Sequence, residues 1–483
     1  MKIERLKVAA VQMLSFEGEE QRNLARMLER MGEAAAAGAR LIVFPEASNN
    51  GYYFEDRADA HHKATPIPGA FTDALGRRAK ELNVWVVSGL FEQGNGDDVF
   101  NCAVLIGPNG ELVGKYQKNF FIKADKRWFV PGQTGFKTFD TPLCQLGFFV
   151  CADGRCIALE GADILVNPTN WGAPDQYLYH VPTRAVENRC WVIGATKPRR
   201  PLDQAQEMLA YNRFTGCSFI MNPRGEVLVQ AGPDEETIIY ADIEPAAARD
   251  KSIGNGNDLF ADRRPELYSL LVEPYEKTPL SKVMNEAVVP DRMVRQIAAI
   301  QVSAPGTPAD ILEAAAAQAV EAQRNHGVDF AVLPEHFLFD PREIARDPQA
   351  AAQFSAKALE RLSEVCASYK IWLLAHLVED EKGYFYSTVY CLSPEGIVGK
   401  YRATHLWGDE RDWATPGNDL PVFKTPFGNV GVMIGYEGVI PEVARTLALR
   451  GADIIAWPTT WRSPAEFQFI AHERAMENRI VLV

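Results

Sequence analysis

The chain is written twice: residues 6–193 recur at 296–483. A repeat of that length constrains the fold more than composition does, because each copy must be able to build a layered core of its own. The first copy reads LKVAAVQM, LIVFPEAS, LVGKYQKNFF, LGFFVCADGR, ADILVNPTNW and TRAVENRCWVI. The second reads RQIAAIQV, FAVLPEHF, IVGKYRATHLW, VGVMIGYEGV, ADIIAWPTTW and ERAMENRIVLV. Glu46 pairs with Glu335, Lys118 with Ala403 and Cys151 with Gly435. Residues kept in both copies serve the fold they share, and reactive residues kept in one only are candidates for chemistry.

Within the first copy, short β-branched runs alternate with amphipathic helical stretches. LIVFPE is a continuous apolar run, as expected of a strand buried on both faces. FNCAVLIGPNGELVGKYQK and CSFIMNPRGEVLVQAG read as hairpins, turning at Pro108-Asn109-Gly110 and Pro223-Arg224-Gly225. TIIYADIE closes the set. The class is α/β, with two sheets sandwiched between helical layers. The first domain is expected over 1–280, a linker over 281–295, and the second domain over 296–483. The second copy runs out at Val483, level with Ile193, so counterparts of the second hairpin and closing strand are expected to be lacking.

Composition narrows the function by exclusion. A formal charge of −13 argues against a broad phosphate-binding surface, hence against nucleic acid as partner. Eight cysteines without a CxxC pair form neither a disulfide framework nor a structural zinc site. The opening MKIERLKVAAVQ breaks at Gln12, which is wrong for a signal peptide. No apolar run reaches the ~18 residues of a membrane span, so the expected compartment is cytoplasmic.

Three reactive residues of the first copy each follow a predicted strand: Glu46 ends LIVFPE, Lys118 ends the GKYQK strand and Cys151 ends LGFFVC. Strand ends are where α/β sheets collect ligand-binding groups. Cysteine, lysine and carboxylate together suit acyl transfer through a thioester, in which a base takes the thiol proton and a cation stabilises the charge that develops on attack.

These motifs, FPE at 44–46, GKYxK at 114–118, C-x-D-x-R at 151–155, NPTNW at 167–171 and RAxEN at 184–188, resemble the nitrilase superfamily of carbon–nitrogen hydrolases. The resemblance spans roughly the whole first copy. It implies an α-β-β-α sandwich in two tandem copies, a Glu–Lys–Cys triad, and no metal or organic cofactor. Glu46 would then be the general base, Lys118 the transition-state cation and Cys151 the nucleophile. Many members carry a second glutamate in an E-K-R-Y-F-x-P-G-like stretch; here that stretch is DKRWFVPG, and Asp125 takes its place. Tyr52, Trp128, Arg155 and Trp171 are the candidates for contact with substrate.

Bland readings stand beside these. Taken alone, Cys151 is a buried small hydrophobe, as the other seven cysteines are read to be. A protease-like pairing of Cys151 with His180 explains neither Glu46 nor Lys118. Arg184 and Glu187 recur as Arg474 and Glu477, which points to structural ion pairing, and Trp171 recurs as Trp461. The second copy, with Gly435 and Ala403, cannot run the reaction and reads as a pseudo-enzyme domain. The expected activity is cysteine-dependent hydrolysis of a small amide, carbamoyl or ureido compound by the N-terminal copy. The alternatives are a nitrilase, an N-acyltransferase or, from another class, a non-catalytic scaffold. An intramolecular pseudo-dimer and further homo-oligomerisation are expected from the resemblance.

Overall fold

Strands form where the apolar runs lie, and the way they are buried explains why so few alternate with polar residues. The computed structural model describes residues 4–122, 125–155, 161–199, 214–286, 295–302 and 305–483. The chain divides into two compact units, Met1–Lys251 and Ser252–Val483.

Among its described residues the first unit carries twelve strands: β1 (Leu6–Gln12), β2 (Leu41–Val43), β3 (Trp85–Gln93), β4 (Val99–Ile106), β5 (Leu112–Gln117), β6 (Thr138–Asp140), β7 (Gln145–Phe148), β8 (Ile164–Pro168), β9 (Trp191–Ala195), β10 (Phe219–Met221), β11 (Val227–Gln230) and β12 (Thr237–Ile243). They form two six-stranded sheets, β12-β1-β2-β3-β4-β5 and β11-β10-β9-β8-β7-β6. In each, a parallel centre (β1-β2-β3, β7-β8-β9) is flanked by antiparallel pairs.

Residues of β1 alternate between two cores. Val8 and Ala10 join Phe148, Ile164 and Val166 between the sheets. Ala9 and Val11 pack on Met27, Met31 and Leu75 of the helices Glu20–Ala36 and Ala70–Leu82. A strand buried on both faces has no polar face to show, so its sequence reads as an unbroken apolar run.

The second unit opens with a short hairpin, β13 (Ser252–Gly254) and β14 (Asn257–Asp258). A five-stranded sheet follows, built from β15 (Ile297–Ala299), β16 (Phe330–Val332), β17 (Trp372–Glu381), β18 (Tyr384–Ser393) and β19 (Gly396–Arg402). A four-stranded sheet joins β20 (Val422–Thr425), β21 (Gly428–Val432), β22 (Ile454–Ala456) and β23 (Val481–Leu482). Among the described residues, β15 and β23 are margins where the first unit places β12 and β10.

The compact units part at Lys251–Ser252, whereas the sequence reading carried the first domain to 280. Residues 252–286 instead belong to the second unit and hydrogen-bond within it. Asn257 donates to Leu406 O (3.0 Å) and accepts from Gly408 N (2.8 Å), and Tyr268 stacks on His405 with ring centroids 5.9 Å apart. Of the expected linker at 281–295, residues 287–294 lie outside the described residues. No helix among the described residues is long and apolar enough to cross a membrane.

Candidate active site

Three strand ends deliver the reactive residues, each slightly past the strand rather than within it. β2 stops at Val43, so Glu46 lies in the following turn; β5 stops at Gln117, one residue before Lys118. β7 stops at Phe148, and Cys151 opens a 3-10 turn, Cys151–Arg155, with φ +48°. A left-handed cysteine costs on the order of 1 kcal/mol, and such a turn lifts the side chain out of the sheet. Asn167 Oδ1 accepts from Cys151 N at 3.1 Å and fixes the turn. Asn170 Nδ2 donates to Glu46 O at 3.1 Å, stitching the ends of the two sheets together.

Glu46, Lys118, Asp125 and Tyr52 form one buried cluster. Lys118 Nζ donates to Asp125 Oδ2 (2.8 Å) and Glu46 Oε1 (3.1 Å). The Tyr52 hydroxyl donates to Asp125 Oδ1 at 2.7 Å and lies 3.2 Å from Glu46 Oε1. Asn101 Nδ2 adds a 2.6 Å bond to the same Glu46 oxygen. The other oxygen, Glu46 Oε2, is buried and has no hydrogen-bond partner among the described residues. One carboxylate oxygen is therefore saturated and its twin keeps its lone pairs for an incoming proton.

Burial alone would depress the Lys118 ammonium, but Asp125 and then Glu46 outweigh it and hold the group well above its usual range. It stays charged. Burial pushes the Cys151 thiol up to about 11, with Glu46 adding to the shift while Lys118 opposes it. Cys151 thus rests as a thiol, and a thiol needs a base within reach before it can act as a nucleophile. Its sulfur lies 3.8 Å from Gln176 Oε1, 3.9 Å from Gln176 Nε2 and 4.0 Å from Asn170 O.

Asp153 braces the lysine segment against the cysteine turn. Its carboxylate accepts from Asn119 N (3.2 Å), Phe120 N (2.8 Å), Val150 N (3.0 Å) and Tyr116 OH (2.9 Å). Burial raises its pKa to about 6 against the pull of Phe120 N and Lys118. Arg184 Nε holds Gly154 O at 2.8 Å while its guanidinium pairs with Glu187.

Of the expected substrate contacts, the structure puts Tyr52 in the charge cluster and the two tryptophans in apolar packing. Trp128 lies edge-on to Tyr52, Tyr53, Phe54 and Phe129. Trp171 is fully buried and stacks on Phe219 at 5.4 Å. The Arg155 side chain lies outside the described residues, as does Cys156. His180 Nε2 sits 3.4 Å from Asp175. Asn101 and Gln176 escaped the sequence reading. Asn167 and Asn170 were visible only as letters of NPTNW, with nothing to say what they would hold.

The second unit repeats the frame with Gly435 and Ala403 at the positions of Cys151 and Lys118. Gly435 opens a 3-10 turn, Gly435–Val439, with φ +45°. Glu437 takes the place of Asp153, accepting from Tyr401 OH, Thr404 N and Ile434 N. Arg474 Nε holds Gly438 O at 2.9 Å and pairs with Glu477.

Where the thiol would stand there is an ion pair instead. Arg462 Nη2 lies 2.7 Å from Glu335 Oε1, and Thr460 N donates to Glu335 Oε2 at 2.8 Å, so both oxygens of this glutamate are engaged. A Cβ at Gly435 would overlap the Glu335 carboxylate and lie 2.6 Å from Arg462 Nη2.

Beside Ala403, two imidazoles occupy the neighbourhood of the lost ammonium. His336 Nε2 is 3.0 Å from Glu410 Oε1; His376 Nε2 is 2.8 Å from Ser387 Oγ, which donates to Glu410 Oε1 at 2.8 Å. These three residues offer ligand atoms within 4.8 Å of one another. His376 Nδ1, however, accepts from His336 N at 2.8 Å, so its ring proton sits on Nε2 and points to Ser387. His376, Ser387 and Glu410 form a hydrogen-bonded chain, while His336 Nδ1 has no partner among the described residues; coordination through His376 Nε2 would require an imidazolate.

A model of the carbon–nitrogen hydrolase family matches residues 7–251 and again 296–482. A protein from Pyrococcus abyssi described as a nitrilase is 36% identical over 271 residues, covering 54% of this chain and 99% of its own. An omega-amidase from Homo sapiens is 30% identical, covering 55% and 97%. An N-carbamoylputrescine amidase from Solanum lycopersicum is 30% identical, covering 50% and 88%. The solved structure of a carbon–nitrogen hydrolase from Helicobacter pylori G27 is similar at TM-score 0.49 and 21% identity, covering 56% of this chain and 99% of its own.

Proposed function

The chain belongs to the carbon–nitrogen hydrolase family, and on that premise we propose that its first unit hydrolyses a small amide, carbamoyl or ureido substrate through a thioester on Cys151. The observation that carries the assignment is the asymmetry of Glu46, whose Oε1 is saturated and whose Oε2 is open. The Cys151 thiol gives its proton to Glu46 Oε2 as sulfur bonds to the substrate carbonyl carbon. The carbonyl π pair moves to oxygen, and the Lys118 ammonium stabilises that charge in a buried site where it counts most. Collapse breaks the C–N bond, and the departing amine takes the proton from Glu46. Water, deprotonated by Glu46, then attacks the thioester and frees the acid and the thiol. Asp125 and Tyr52 keep Lys118 in place and charged throughout.

The second unit takes no part in turnover in this reading, since its glutamate has no open oxygen, its turn no thiol and its lysine position no charge. Nitrile hydrolysis is the runner-up, favoured by the likeness to the Pyrococcus abyssi relative. A panel of amides, ureas and nitriles scored for ammonia release, with Cys151→Ala as the blank, tests the proposal. Release from an amide or ureido compound that vanishes in the blank is expected. Release from nitriles alone would select the runner-up, and release that persists in the blank would sink both.

A further inference from the structure

Among the described residues, the Gln176 side chain lies against the Cys151 sulfur without belonging to the charge cluster. Gln176 opens a single π-helical turn, Gln176–His180, in which Val181 N donates back to Gln176 O. Such turns bulge the backbone and re-aim a side chain, often at functional positions. Here the bulge faces a buried carboxamide (5% exposed) toward Cys151, with Oε1 and Nε2 both within 4 Å of Sγ.

The second unit keeps the same π turn, Glu466–Ile470, with Ala471 N donating to Glu466 O, but a carboxylic acid stands in Gln176's place. Glu466 is buried, its Oε2 has no hydrogen-bond partner among the described residues, and burial with Glu335 nearby raises its pKa to about 7. So the unit that lacks the nucleophile tolerates an acid at this position, and the unit that has it carries the uncharged isostere. A carboxylate there would oppose the developing thiolate, whereas an amide N–H supports it.

We propose that Gln176 is a catalytic residue of the first unit, its Nε2–H donating to the Cys151 sulfur as the thiol proton leaves for Glu46. The proposal rests on Cys151 being the nucleophile. No covalent change involves Gln176: the proton goes to Glu46 Oε2, the sulfur lone pair to the substrate carbon, and the amide only shortens its hydrogen bond as charge develops. A donor distance of 3.9 Å at rest that tightens in the reacting state is ordinary for a catalytic hydrogen bond. The ionisable groups that face the sulfur are Glu46 from the turn after β2, Lys118 from the end of β5 and Tyr52 from the loop that follows Glu46. Glu46 disfavours the thiolate and Lys118 favours it, and Gln176 tips that balance without adding a charge.

The test is the pH dependence of Cys151 alkylation by iodoacetamide in the full chain, located by peptide mass. Gln176→Glu should move the alkylation midpoint up by about one unit or more and slow alkylation at pH 8 by about tenfold. Gln176→Leu, which keeps the bulk and loses the N–H, should move it in the same direction by less and lower kcat by about tenfold, with KM little altered. The leucine variant also covers the case in which the buried acid impairs folding. A midpoint unchanged in either soluble variant overturns the role of Gln176. Failure of wild-type Cys151 to be alkylated at any pH would instead overturn its assignment as nucleophile, so the two failures are told apart.

Discussion

The cysteine turn and its counterpart in the second unit share a frame and differ only in what the frame holds. Both begin on a left-handed residue, Cys151 at φ +48° and Gly435 at φ +45°. Both are braced by an acid two residues on, Asp153 or Glu437, and gripped by an arginine whose partner glutamate lies three residues further. The left-handed turn therefore does not exist for the sake of the thiol. It is how this sheet end folds, and it costs about 1 kcal/mol for a cysteine but nothing for a glycine.

What changes is the filling. The first unit leaves Glu46 Oε2 open and sets Lys118 between two carboxylates; the second closes both oxygens of Glu335 and fills the space with Arg462 and two histidines. The second unit fills these positions largely with paired groups, although Glu466 Oε2 and His336 Nδ1 have no partner among the described residues.

The comparison breaks most easily at Cys151. Cys151→Ala should lower turnover by about 10⁴-fold or more, measured as ammonia release, because nucleophile deletion removes the covalent route altogether. Lys118→Ala comes next. It should slow acylation by about 10²–10³-fold with little change in KM, in a rapid-quench measurement of acyl-enzyme formation. It also strands Glu46 and Asp125 in the interior, so the first unit should lose about 3–5 kcal/mol in denaturant unfolding. Lys118→Arg should not rescue the rate, since a planar fork cannot replace a compact ammonium.

A smaller effect should come from Glu466→Gln, which gives the second unit the first unit's residue. Burial raises the Glu466 carboxyl from its ordinary 4.5 to about 7. A carboxyl raised by folding favours the folded state below about pH 4.5 and withdraws that support as pH rises through about 7. The wild type should therefore lose stability across that window, and the variant should not. Thermal melts of the full chain should show the variant ahead by about 1–3 kcal/mol at pH 8 and the difference shrinking toward pH 4.5. Equal slopes would mean Glu466 is not held in its acid form.

The smallest expected effect is none at all. Gly435→Cys with Ala403→Lys on a Cys151→Ala background should add no ammonia release, because Glu335 and Arg462 occupy the thiol's place and His336 stands beside the ammonium's. Activity gained by that pair would show that the filling can be displaced.

Much of this was legible in the chain. Runs such as LIVFPE and DILVNP marked strands buried on both faces, Pro108-Asn109-Gly110 marked a hairpin, and the repeat itself separated frame from chemistry. Strand ends were read three residues long at Glu46 and Cys151, because an apolar run does not reveal where the backbone turns left-handed. Asn101, Gln176 and the His336–His376 pair were not legible, since each acts through partners distant in sequence and belongs to no local pattern. His376 stands where the first unit has Gly89, a position at which a Cβ would run into the Glu46 backbone. Such a requirement shows only once the two strands are side by side.

The central claim is that one chain carries one working nucleophile and that it is Cys151. Acid-quenching the full-length protein during turnover of its best amide and mapping the trapped acyl group by mass reads this directly. The account predicts one acyl group per chain, on the peptide holding Cys151, and none on the second unit. Two groups per chain, a group on any residue after 251, or continued turnover with Cys151 unmodified would contradict it.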